Sequence, residues 1–535
     1  MVYFIPHWST KERILDEDRV LNILNLFQEN KLEAHLIVVE YLPYFRYLLN
    51  DYRLHDIQVL SLFDILQQVE IETGFPMTVE DLSFESSVEQ IYTPYGITLI
   101  KDRMSYGEVR FEEHGFVQSV QYPRSATCLC TELYDDRGFL SSIIFSDRTG
   151  EKQKQEFYNP LGKCVMTEYF GSDAHIELYH FEQLGLKQAR YLSFSEIFAE
   201  LFNQGLVDFG QSSLIFDSWG FSLDILERLT ISQPIMSIFS TEKELNQYTE
   251  KQLAILFSKS KVIITDSRQK KSELLHIKEQ QRIIGGDIVD IPMYPTRLAL
   301  GNSNSVERLM IYWKDHHAHQ EEEFLVHLLT NLLIQEVSYG LIVEVSSLLQ
   351  EQKIEVMQKQ LIDAHFNVDS DSAEFRKVAA YLQAKDTNTL MKAQADSVKE
   401  LKLLPIWRQY VQAVELYERI EFRINPNIKQ VQTDLSIARL YLDVNQKPDL
   451  QKQSFAVNAG IPLILKEESD YVIHMENGYN VDHISEVSEI LTFYMNGLKN
   501  WNETLVKNVA MIETHSSYNL LEKWRKLFDD GTEKN

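Results

Sequence analysis

The segment Trp313 to Glu323, WKDHHAHQEEE, holds one fixed cation, Lys314, and three side chains of metal-ligand type, His316, His317 and His319. A closed coordination shell would need further ligands from elsewhere, and no second cluster supplies them. A solvated loop and helix cap is therefore the better reading than a metal centre. Asp369-Ser370-Asp371 has the spacing of a metal-binding Asp-x-Asp, yet NVDSDSAEF reads as a loop whose Ser or Asp caps the following helix. Cys128 and Cys130 alternate on a predicted strand and so share one face, with only Cys164 left to assist. Burial accounts for them better than zinc. No Gly-x-Ser-x-Gly elbow, phosphate-binding Gly-x-x-x-x-Gly-Lys-Ser/Thr loop or Gly-x-Gly-x-x-Gly fingerprint occurs, so hydrolase, P-loop ATPase and dinucleotide readings lose their main support. No metal and no cofactor is expected.

Three kinds of segment must position these residues. Residues 1 to 84 read as a βαβαβ start, with strands at Val2 to Ile5, Ala34 to Val39 and Gln58 to Leu62 and a first helix from about 11 to 29. From 85 to 182 short strands alternate apolar and polar residues between turns ending at Gly138, Gly150 and Gly162, an antiparallel meander with one wet face. Its aromatics Tyr134, Phe139, Phe145, Phe157 and Tyr158 are read first as core, second as contacts for a partner or sugar. From 183 to 301 the α/β alternation returns, with strands at Ser213 to Phe216, Ile235 to Phe239, Val262 to Thr265 and Ile288 to Ile291. A hinge at Asn302 to Ser305 opens a second α/β series, 302 to 498, with strands near 308–312, 341–345, 419–424, 439–444 and 462–465. Near its end, residues 448 to 459 suit a helix, with Pro448 in the first turn and Gly460 just past the last, and Asn477-Gly478 reads as a turn. Residues 499 to 535 complete a run of amphipathic helices, begun at 483, that carries Trp501 and Trp524.

Composition narrows the function. Lys plus Arg is 52 against 79 Asp plus Glu, a net charge of −27, which disfavours a nucleic-acid partner because affinity for phosphate backbones comes from cations. Three cysteines are too few for a disulfide framework and fit a reducing cytoplasm. MVYFIPHWSTKER lacks the order of a signal peptide and no apolar run is long enough to span a bilayer, so any membrane association is expected to be peripheral, at the inner face of the cell membrane.

The fold class expected is α/β, two Rossmann-like domains with a β-meander inserted in the first and C-terminal helices crossing back. This resembles the GT-B glycosyltransferases, and more narrowly those acting on serine-rich adhesins. The stretch SFAVNAGIPLILKEESDYVIHMENGYNV resembles the last helix, strand and turn of a GT-B donor site, where one glutamate binds the ribose and another, eight positions earlier, contacts the sugar. Laid over Ala456, Gly460 and Pro462, those carboxylates fall at Phe455 and Lys447, neither of which can accept a hydrogen bond. With YFIPHW, PIMSIFS and KVIITDS, this resembles the first component of the Asp group of the accessory Sec system.

That resemblance implies a non-enzymatic part in exporting glycosylated serine-rich repeat adhesins. The implied partners are the second and third accessory secretion proteins, a motor ATPase and the adhesin with its N-acetylglucosamine. The vestigial donor cleft it implies comprises Trp313, Lys314, Lys447, Phe455, Asn477 and Gly478. The rival readings are an active transferase using Glu467 or Glu468, and a chaperone subunit of such an enzyme.

Overall fold

The computed structural model describes all residues except 1, 9–17, 55, 113–114, 126, 207–208, 211, 240–244, 316–318 and 533–535. The chain divides into two compact units, Met1–Asp266 with Lys271–Ile291 and Arg525–Asn535, and Ser267–Lys270 with Pro292–Trp524.

The first unit is built on a seven-stranded parallel sheet. Its order is Asp287–Asp290, Val262–Thr265, Ile235–Phe239, Ser213–Asp217, Val2–Ile5, Ala34–Val38 and Gln58–Ser61. The inner strands are mainly apolar because helices cover both faces; Val2–Ile5, Ser213–Asp217 and Ile235–Phe239 are buried at every position, whereas the edge strands Asp287–Asp290 and Gln58–Ser61 are not. The chain first builds outward on one side of Val2–Ile5, then resumes on its other side at Ser213–Asp217. Between Gln58–Ser61 and Ser213–Asp217 lies a second sheet of ten antiparallel strands in sequential order, from Glu89–Thr93 to Arg190–Tyr191.

The turns of that sheet follow from their glycines. Gly138, Gly150 and Gly162 have φ of +88°, +89° and +75°, and each donates its N–H to the residue three before it. A side chain is strained in that left-handed region, so glycine recurs where each hairpin closes. Phe145 and Phe157 are buried, while the phenols of Tyr134 and Tyr158 donate to Glu132 and Glu156 at 2.6 Å.

The second unit holds a six-stranded parallel sheet ordered Ile420–Ile424, Tyr339–Val345, Leu309–Lys314, Ala438–Asp443, Leu463–Leu465 and Gly478–Asn480. The first residue of its last strand, Gly478, reads in the sequence as the second half of a turn with Asn477. The turn instead ends at Asn477, and Gly478 begins an edge strand because its backbone approaches Leu463 closely; a Cβ there would lie 2.4 Å from the Leu463 carbonyl oxygen. Trp501 and Trp524 are buried, and the indole N–H of Trp501 donates to the Arg439 carbonyl at 3.0 Å. The final helix, Ser517–Thr532, passes from the second unit into the first at Arg525, and Phe528 meets Phe27 edge-on at 6.1 Å. Among the described residues no helix is long and apolar enough to cross a membrane.

Candidate functional site

The strand Leu309–Lys314 fixes the site. Successive side chains on a strand point to opposite faces, so Trp313 and Lys314 cannot share one. Trp313 packs with Val343 and Leu442 in the core at 0% exposure, which corrects its expected place in a cleft: no surface remains to touch a sugar. Lys314 takes the other face, in register with Glu344 of one neighbouring strand and Asp443 of the other.

Onto this row the helix Leu450–Ala459 brings two more charges. Asp449 caps it, accepting the Lys452 N–H at 3.0 Å, and also accepts an ion-paired hydrogen bond from Lys314. Lys452 Nζ lies 2.6 Å from Glu344 Oε1 and 3.1 Å from Asp449 Oδ2. Tyr312 donates to Glu344 at 2.5 Å, and Tyr441 to Asp443 at 3.1 Å. Asn445 donates a further bond to Asp443 at 2.6 Å. Two ammonium groups thus face three carboxyls.

Titration follows the same geometry. Burial would raise the Asp449 pKa, but Lys314 and Lys452 outweigh it and hold the carboxyl well below its usual range. Burial would lower Lys314, but the carboxylates of Asp449, Glu344 and Asp443 together outweigh it and move the ammonium up. Burial pushes Asp443 up, with Lys314 opposing and Asp449 adding to the rise. A diphosphate entering here would find both lysines paired and a carboxylate seated on the helix N-terminus, the position an anion would otherwise favour.

The remaining sequence candidates fall in different surroundings. Lys447 is exposed, just before the helix cap, and Phe455 is half-buried within the helix. Asn477 is 1% exposed and fully engaged: it accepts from the Ile473 N–H at 2.7 Å and donates to the Tyr471 carbonyl at 2.8 Å and to Asn508 at 3.0 Å. With Gly478 in the edge strand, this pair shapes the fold and offers no free polar group of Asn477 to a sugar. Glu467 accepts from Gln269 at 3.1 Å, and Glu468 is exposed. His316 and His317 lie outside the described residues, as does the side chain of His319. Ser372 caps the helix after Asp369-Ser370-Asp371, and Asp371 pairs with Lys359. Burial pushes the Cys130 thiol up to about 11. The ion cluster itself, Glu344, Asp443, Asp449 and Lys452, was not foreseen.

Two parallel α/β sheets, an antiparallel insertion in the first unit and a C-terminal helix returning to it make this a GT-B-like protein. The chain belongs to the family of accessory Sec system proteins that forms the first component of the Asp group, whose model matches residues 1–531. It is 24% identical over 560 residues to the accessory Sec system protein of this type from Streptococcus gordonii, with 100% of each chain covered. It is similar to the crystal structure of accessory secretory proteins 1, 2 and 3 of Streptococcus pneumoniae, with a TM-score of 0.76, 22% identity and 100% of each chain covered. It also resembles the pneumococcal O-GlcNAc transferase GtfA in complex with UDP and GlcNAc, with a TM-score of 0.68, 13% identity and coverage of 100% and 99%. Likeness at that identity is one of fold.

Proposed function

We propose that this chain is a non-catalytic component of the accessory Sec export complex, binding glycosylated serine-rich repeat adhesins and helping deliver them for secretion. It works at the cytoplasmic side of the membrane with the second and third accessory proteins and near the motor ATPase. The observation that carries the reading is the pairing of Lys314 and Lys452 with Asp449 and Glu344; the motif resemblance, which implies carboxylates where Lys447 and Phe455 stand, supports it. A sugar nucleotide brings at least two negative charges, and its binding would require breaking buried pairs at a cost of several kcal/mol. Substrate recognition then falls to the adhesin and its N-acetylglucosamine, with no nucleotide consumed. Purified chain incubated with labelled sugar nucleotides and adhesin tests this. Retention of glycosylated adhesin without hydrolysis or transfer is expected, and steady turnover would overturn the reading.

A further inference from the structure

The ten-stranded sheet ends differently at its two edges. Arg190–Tyr191 is two residues long and runs almost directly into the helix Phe194–Asn203. Glu89–Thr93 is five residues long, exposed throughout and free of any register shift against its neighbour. Long flat edges attract foreign strands, and proteins normally blunt them with lysine, proline or a bulge. Glu89-Gln-Ile-Tyr-Thr93 has none of these, only one carboxylate among strand-forming residues.

Its backbone orientation can be worked out. Pro94 and Tyr95 form a two-residue loop between the paired residues Thr93 and Gly96, and the register continues through Tyr92 with Ile97, Ile91 with Thr98, Gln90 with Leu99 and Glu89 with Ile100. Antiparallel partners alternate between residues that exchange both bonds and residues that turn away. Glu89, Ile91 and Thr93 therefore bond to the neighbouring strand, and Gln90 and Tyr92 direct N–H and C=O to the open edge. Beside that edge stand Ile91, Tyr92 and Tyr95, at 51%, 71% and 93% exposure, apolar bodies a new strand would cover.

We propose that this edge is where a neutral or basic β-strand from another protein chain joins the sheet, a docking that rests on the reading of this protein as a member of a complex. Charge selects the occupant. A second copy would bring a chain of net charge −27 against another of −27, whereas a lysine or arginine opposite Glu89 would complete the pairing.

The test uses the full chain with the second and third accessory proteins, followed by amide hydrogen exchange. Protection of Gln90 and Tyr92 by about tenfold or more on assembly is expected. Tyr92→Pro removes an outward N–H that the hairpin does not use, so it should weaken assembly at least about tenfold while leaving the melting temperature near wild type. Tyr92→Asp, which keeps the N–H but adds a second carboxylate to the edge, should weaken it too. Unchanged exchange at these amides, or assembly of both variants like wild type, would overturn the proposal while leaving the export reading intact. Protection that grows with the concentration of this chain alone would name a second copy as the occupant and overturn it as well. If the unaltered proteins fail to assemble, the export reading falls and takes this docking with it.

Discussion

Whether a lysine binds ligand or merely holds the fold is decided by its neighbours, and here Lys452 and Glu344 settle it at 8% side-chain exposure each. Removing one partner leaves the other charged in a dry place. Lys452→Met should cost roughly 3 kcal/mol in denaturant unfolding, and Lys452→Met with Glu344→Gln should cost less than the single change. Glutamine retains an acceptor for Tyr312, so the double variant isolates the charge. His515, 2% exposed, makes a second residue-scale prediction. Burial lowers its pKa from 6.5 to about 4, with the Met511 carbonyl opposing. A depressed folded pKa gives stability that is present above 6.5 and is lost as pH falls toward 4. Wild type should lose up to about 3 kcal/mol across that window relative to His515→Asn, read from melts at pH 7 and pH 4.

The cluster was hard to see in the sequence because its members are far apart. Lys314 and Asp449 are 135 positions apart, Glu344 and Lys452 108, and each alone looks like a solvated strand or helix end. Only the register of three parallel strands, with the start of the helix Leu450–Ala459 laid over it, makes them one group. Trp313 was misplaced for a related reason, since a loop-centred reading ignored the alternation that sends it and Lys314 to opposite faces. Lys447 and Phe455, by contrast, stand at carboxylate positions only through the motif resemblance anchored on Gly460 and Pro462.

Elements were legible wherever a physical rule writes directly into the sequence. Ile235–Phe239 and Val262–Thr265 have the bounds expected, because strands covered on both faces must be apolar throughout. Tyr339–Val345 begins two residues earlier than expected. Gly340, within that extension, serves close packing: a Cβ there would lie 2.3 Å from Met310 Sδ. Gly460 and Gly162 allow a comparison that separates strain from crowding. Both are left-handed, at φ +77° and +75°. A Cβ on Gly162 meets nothing, whereas on Gly460 it would lie 2.3 Å from Leu505 Cδ1 and 2.9 Å from Leu300 Cδ2. Gly162→Ala should cost about 1 kcal/mol and Gly460→Ala distinctly more, both measured by chemical denaturation. Equal costs would mean that the helix end yields without resistance.

For the whole molecule, two parallel sheets, an inserted antiparallel sheet and a returning helix make a GT-B-like frame, and within its second unit Lys314 and Lys452 are paired with Asp449 and Glu344. Calorimetric titration of the full chain with UDP-N-acetylglucosamine tests whether the paired Lys314 and Lys452 exclude a diphosphate. Buried pairs that must break before a diphosphate can bind predict no saturable heat below about 1 mM. Saturable binding in the micromolar range, lost on Lys314→Ala, would contradict the account.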